Sequence, residues 1–145
     1  MAHKISARWG LPLEQVIKQN IYGCDIDQGA IEAAREIFGI ESNFSVQSGL
    51  EFDHSLADCD IGNPPYVRIQ TLDEATRKKV SEFTWCEGST DLYIAFLQSG
   101  FQNYETCGYV APNSWLKNKA GKKMREDVYN SRRLNWIYDW GDKKI

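Results

Sequence analysis

The chain has 145 residues, 42% hydrophobic and 26% charged, the proportions of a soluble globular protein long enough to form its own core. Its formal net charge of −3 excludes a protein that coats nucleic acid indiscriminately, and no stretch has the ~20-residue apolar length of a membrane span. The opening "MAHKISARWG" lacks the apolar centre of a secretory signal. Cys24, Cys59, Cys86 and Cys107 form no CxxC pair and have only His3 and His54 beside them, so we expect no metal site. Reduced, mostly buried thiols and a cytoplasmic location follow.

Along the chain, short strands alternate with helices. Residues 1–19, in which "LEQVIK" looks helical, read as a helical lead-in to a domain spanning 20–145. "NIYGCDI" (20–26) is a predicted strand, with Asp27 as the N-cap of the next helix. In that helix Ala30, Ile31, Ala34, Ile37 and Phe38 share one face, and Gly39 ends it. "FSVQS" (44–48) and "LADCDIG" (56–62) are further strands, and 73–83 is a polar helix. Residues 92–104 form a stronger one, with Leu92, Tyr93, Phe96, Leu97 and Phe101 aligned. "CGYVAP" (107–112) is a strand, and Ser114 is positioned to cap a helix carrying Leu116, Ala120, Met124 and Val128. "LNWIYDW" (134–140) closes the series as a strand, and Trp115, Trp136, Tyr138 and Trp140 are expected in the core. This alternation predicts a parallel, three-layer α/β sheet, in which ligands bind at the carboxyl ends of strands. Asp25, Ser48 and Asn63 stand at or just past such ends.

Asn63, Pro64, Pro65 and Tyr66 follow the third strand directly. Pro65 fixes its own φ and holds Pro64 extended, and neither proline has an N–H. The Asn63 side-chain oxygen and the Pro64 carbonyl are therefore expected to converge on one planar NH2 group, with Tyr66 stacking on the attached ring. The alternative is a rigid turn with Tyr66 packed inward. Downstream, Lys117, Lys119, Lys122, Lys123, Arg125, Arg132 and Arg133 face only Glu126 and Asp127. Such a run is either a solvated helix face or a surface for an anionic polymer.

The tetrapeptide resembles motif IV of the amino-methyltransferases, [DNS]PP[YFW]. "IYGCDIDQGAIEAAR" resembles that superfamily's second nucleotide-binding motif. The stretch "DLYIAF…PNSWLKNKAGKK" is similar to the segment after NPPY in TaqI-like adenine-specific DNA methyltransferases of type II restriction–modification systems. The resemblance covers about residues 18–144. It implies a Rossmann-like S-adenosylmethionine-dependent methyltransferase fold and methyl transfer to N6 of a flipped adenine in DNA. It further implies Asn63, Pro64, Pro65 and Tyr66 as catalytic. Asp25 would bind the cofactor's ribose hydroxyls, Ile26 would lie against its adenine, and Ser48 would stand where the family has an acidic residue bonding the adenine amine. Arg68, Lys117, Lys119 and Lys122 would contact DNA.

The pattern departs from the family in three ways. Residues 1–20 contain no Gly-rich loop of the form D-P-A-C-G-S-G, so the chain reads as a partial fold lacking its first and last strands. Ser48 is neutral, and Asp60 puts a charge within a strand that needs an edge or a partner. Two other readings follow: an NPPY enzyme acting on a protein glutamine amide, and an inactive fragment or one that acts beside an N-terminal complement. A separate target-recognition domain is a further expected partner.

Overall fold

A computed structural model describes residues 1–39, 43–88, 90–139 and 141. They fall into two units, Met1–Asp58 and Cys59–Ile145.

The first unit opens with helices α1 (Ala2–Trp9) and α2 (Leu13–Asn20), then strand β1 (Gly23–Asp25), helix α3 (Gln28–Phe38) and strand β2 (Phe44–Val46). Both α1 and α2 begin within the stretch 1–19 read as a helical lead-in. β1 and β2 pair in parallel, Cys24 opposite Ser45, with α3 as the crossover. Asp27 caps α3 as its position predicts, accepting from the N–H groups of Gly29 at 2.7 Å and Ala30 at 3.4 Å. Gly39 ends α3 at φ 64, a left-handed conformation that glycine adopts without a Cβ clash. Ile31 and Phe44 form the buried centre, with Ile17, Ile21 and Ala34 packed around them. Phe44 lies so close over Gly23 that a Cβ there would meet its ring at 2.7 Å. The predicted apolar face of α3 is only partly buried, since Ala30 and Ile37 are exposed. Asn43 joins the helical and sheet parts. Its side-chain amide donates to the carbonyls of Lys18 (2.7 Å) and Ile21 (2.9 Å), acceptors at the end of α2.

The second unit runs β3 (Cys59–Gly62), α4 (Glu74–Val80), α5 (Tyr93–Asn103), β4 (Thr106–Tyr109) and α6 (Lys122–Ser131). β3 and β4 are parallel, with Ile61 opposite Gly108 and Gly62 opposite Tyr109. Of the aligned set read from its spacing, Leu92 and Tyr93 are buried and Phe96, Leu97 and Phe101 only half-buried, while helix α5 also buries Ile94, Ala95, Gln98, Ser99 and Gly100. The side-chain oxygen of Gln98 accepts from the Trp85 N–H at 2.7 Å while its amide donates to the Thr84 hydroxyl at 3.1 Å. A polar residue satisfied in this way can face inward. Met124 and Val128 of α6 are buried as their spacing predicts.

Several expectations are corrected. Residues 134–139 are not a strand: among the described residues nothing pairs with them, and an extended segment becomes a strand only when its N–H and C=O groups find a ladder. Trp136 and Tyr138 are consequently 72% and 71% exposed, not core, while Trp115 is half-buried. Trp140 lies outside the described residues. Ser114 is no helix cap: it sits inside a one-turn 3-10 helix, Asn113–Leu116, that starts from Pro112, and its hydroxyl lies 3.3 Å from that of Tyr93. The thiols are not mostly buried, as Cys59 and Cys107 are exposed, Cys24 is intermediate and only Cys86 is buried. Among the described residues the parallel pairing is present as two two-stranded pieces, β1–β2 and β3–β4. No helix among the described residues is long and apolar enough to cross a membrane.

Candidate active site

The register of β3 and β4 sets where the tetrapeptide begins. The Val110 N–H donates to the Gly62 carbonyl at 3.0 Å, extending the ladder one step past β4, so Asn63 is the first residue beyond the paired region. Pro64 is buried, while Asn63, Pro65 and Tyr66 are exposed. The Tyr66 hydroxyl donates to the Asn63 side-chain oxygen in a short hydrogen bond, and also lies 3.2 Å from the Val110 carbonyl. Tyr66 is not sealed inside. It is 51% exposed, and its ring meets Tyr93 edge-on at 6.1 Å between centroids. A half-exposed aromatic ring thus has its hydroxyl end against an amide oxygen at the carboxyl end of a parallel strand. That oxygen already accepts one proton, and an amide oxygen has a second lone pair.

The chain leaving the tetrapeptide is held by a short antiparallel contact. The Leu92 N–H donates to the Val67 carbonyl (2.7 Å) and the Ile69 N–H to the Thr90 carbonyl (3.1 Å), with Arg68 opposite Asp91. This ties the loop to the start of α5, whose buried Tyr93 supports the Tyr66 ring. Beneath β3, the Tyr109 hydroxyl donates to the Asp60 carboxylate in a short hydrogen bond. Burial, reinforced by that acceptor, pushes the Tyr109 phenol above its ordinary range. Asp60 is therefore partnered. The Tyr109 ring fits because Gly100 faces it without a side chain: a Cβ there would stand 1.9 Å from the hydroxyl.

Sequence reasoning missed Tyr109, Tyr93 and the Val110 carbonyl as supports of this site. A signal for the first was available, since a strand carboxylate such as Asp60 needs a donor and Tyr109 is a strand tyrosine.

In the first unit, Asp25 ends β1, and its carboxylate accepts from the Asp27 N–H at 2.8 Å. A carboxylate retains further lone pairs for a ribose diol. Ile26 is 78% exposed and free to lie against a flat ring. Ser48 follows β2, and its hydroxyl oxygen accepts from the Leu50 N–H at 3.3 Å. Its own proton remains to be donated. The chemistry of Asp25 and Ile26 thus fits a nucleoside, and Ser48 adds a neutral donor. Arg68, Lys117, Lys119 and Lys122 are all exposed. Lys122 reaches Glu126 at 3.7 Å and Lys123 reaches Asp127 at 3.4 Å, so the basic helix is partly self-neutralised.

A family model described as Eco57I restriction-modification methylase matches residues 40–145. The chain belongs to that family. It is similar to the type II methyltransferase M.BanIII of Aneurinibacillus aneurinilyticus, 30% identical over 118 residues, which cover 76% of this chain and 20% of that protein. The type II methyltransferase M.BstVI of Geobacillus stearothermophilus is 31% identical over 86 residues, 57% of this chain and 15% of that relative. The type II restriction enzyme and methyltransferase RM.Eco57I of Escherichia coli is 25% identical over 95 residues, 61% of this chain and 10% of its own length. The chain thus spans about a fifth or less of these relatives. Within the Eco57I-family match lie Ser48, the tetrapeptide and the basic stretch, whereas Asp25 and Ile26 precede it.

Proposed function

We propose that this Eco57I-family chain carries the methyl-accepting part of a DNA adenine N6-methyltransferase. The supporting observation is the exposed Asn63 oxygen beside the half-exposed Tyr66 ring, directly past a parallel strand. An exocyclic adenine amine is a weak nucleophile because its lone pair is delocalised into the ring. The Asn63 side-chain oxygen and the Pro64 carbonyl accept its two N–H bonds, draw the nitrogen toward tetrahedral geometry and stabilise the positive charge that develops on it. Pro64 and Pro65 add no competing N–H. The exposed face of Tyr66 stacks on the adenine, which offsets part of the few kcal/mol needed to take the base out of the duplex.

S-adenosylmethionine, when bound, supplies the electrophilic methyl group. In this reading Asp25 accepts from its ribose hydroxyls, Ile26 packs on its adenine and Ser48 hydrogen-bonds the ring edge. Residues 20–145 form the catalytic part and 1–19 a lead-in. Lys117, Lys119 and Lys122 contact phosphates, and a separate target-recognition domain or an N-terminal complement completes the enzyme. Arg68 stands with these lysines as a DNA contact in this reading.

The test supplies the chain and a Gly-rich-loop complement with labelled cofactor and duplex DNA, followed by digestion. Label in N6-methyladenine, reduced about 100-fold or more by Asn63→Ala, supports the proposal. Label in a protein glutamine, or in DNA with Asn63→Ala as active as the parent, overturns it.

A further inference from the structure

The loop leaving the tetrapeptide forms one wall of a separate cavity of about 220 Å³. Arg68, Thr90, Asp91 and Asn118 supply its polar lining, over Tyr93, Ile94 and Ala120. None of Asn63, Pro64, Pro65 and Tyr66 belongs to that lining.

The walls are held in place by hydrogen bonds. Arg68 and Asp91 face each other across the antiparallel contact already described. On a third segment of the lining, the Asn118 side-chain oxygen accepts from the Gly121 N–H at 2.8 Å, and its main-chain carbonyl accepts from Arg125 at 2.9 Å. With its oxygen engaged, the Asn118 carboxamide has its NH2 group left to donate. Tyr93 and Ile94, each 1% exposed, underlie the cavity, and its accessible lining is mostly polar.

This lining selects against simple ions. A phosphate would meet the Asp91 carboxylate, and an amine would meet the Arg68 guanidinium. A neutral planar ring with neighbouring donors and acceptors satisfies both, and the volume is below the ~300–1,000 Å³ of a drug-sized site, suiting one ring system. We propose that this cavity receives a second unstacked nucleobase, distinct from the one at Asn63, and that guanine fits it best. Guanine offers O6 and N7 as paired acceptors for Arg68, with Asn118 donating to O6. Its N1–H and N2–H2 form a two-donor edge for Asp91. Thymine has a single ring N–H for the carboxylate, and adenine a single amino group.

The proposal rests on the DNA reading for the source of the base, but not on the Asn63 chemistry. The experiment titrates the isotope-labelled chain with guanosine, thymidine and inorganic phosphate, following backbone amide resonances. Guanosine is expected to move the amides of Arg68, Asp91 and Asn118 at lower concentration than thymidine, with phosphate inert. Asp91→Asn weakens guanosine binding by about 5- to 100-fold. Asn118→Asp keeps the oxygen that holds Gly121 while removing the donors, and is expected to weaken it as well. Asn63→Ala leaves this binding unchanged, which separates failure of this site from failure of the methyl-transfer reading. Phosphate moving these amides while guanosine does not overturns the proposal in favour of an anion site. Silence from every probe, or an Asn118→Asp variant that binds guanosine as the parent does, reduces the Arg68–Asp91 pair to a fastening between two segments.

Discussion

At the end of β1, the carboxylates of Asp25 and Asp27 accept from backbone N–H groups two or three residues away. At the end of β3, the Asn63 oxygen accepts from Tyr66, whose hydroxyl also reaches the carbonyl of Val110, 44 residues further along the chain. The first arrangement is local and needs only the turn into α3. The second exists only if β3 and β4 are paired and α5 holds Tyr93 beneath the ring. Two similar positions, each just past a parallel strand, therefore depend on different parts of the structure.

The sharpest way to break the second arrangement is to disturb the packing under it. Gly100→Ala drives a methyl group into the Tyr109 hydroxyl and ring, where the nearest approach is 1.9 Å. Overpacking of this kind costs about 3 kcal/mol when the backbone resists. Hydrogen exchange should show lost protection across β3, β4 and α5 while Gly23–Asp25 and Phe44–Val46 keep theirs. Equal loss in both units would mean that the strand ends are not independently supported.

Alkaline pH acts on the same region. Burial pushes the Cys86 thiol up to about 12, from 9.0 when unperturbed, and raises the Tyr109 phenol as well. Both groups keep their protons in the folded state after the unfolded chain has lost them. Their contribution is complete below about pH 9 and falls as pH rises toward 12, by about 1.4 kcal/mol per pH unit for each group beyond its unfolded pKa. Urea midpoints between about pH 8 and about pH 11 should fall for the parent chain, and Cys86→Ala should flatten the first part of that decline.

In the first unit the corresponding change is smaller. Asn43→Ala removes the donors from the Lys18 and Ile21 carbonyls, and two such hydrogen bonds contribute about 1–2 kcal/mol. Fraying should appear at the end of α2 by amide exchange and leave the Asn63 region unchanged.

What was legible in the sequence follows the same local and long-range division. Asp27 as a cap, Gly39 as a stop, and the burial of Met124 and Val128 depend on neighbours within one or two helical turns, so spacing alone predicts them. The tetrapeptide was legible as a motif for the same reason. The inward face of α5 was legible only in part: Leu92 and Tyr93 are buried as read, but Gln98 is buried through bonds to Thr84 and Trp85, which spacing within the helix cannot reveal. The strand expected at 134–140 failed on pairing, since alternating Leu134, Trp136 and Tyr138 describe a strand's faces and say nothing of its neighbour. The Tyr109–Asp60 contact spans 49 residues and became visible only with the β3–β4 register.

Tyr66→Phe makes the smallest change and bears most directly on the site. It keeps the ring, its exposed face and its edge contact with Tyr93, and removes only the hydroxyl that reaches Asn63 and Val110. The lost hydrogen bonding is at an exposed position, so stability should fall by only about 0.5 kcal/mol. The Asn63 oxygen, however, becomes free. In the parent an incoming amine must share that oxygen with the phenol or displace it, exchanging one hydrogen bond for another with little net gain. In the Phe variant the same amine meets an acceptor with both lone pairs available, so its binding should tighten while the stacking surface stays the same. The side-chain NH2 resonances of Asn63 provide a direct reading: they should shift in Tyr66→Phe without added ligand. If they do not move, the phenol is not what occupies the acceptor, and the order at the end of β3 must come from the two prolines alone.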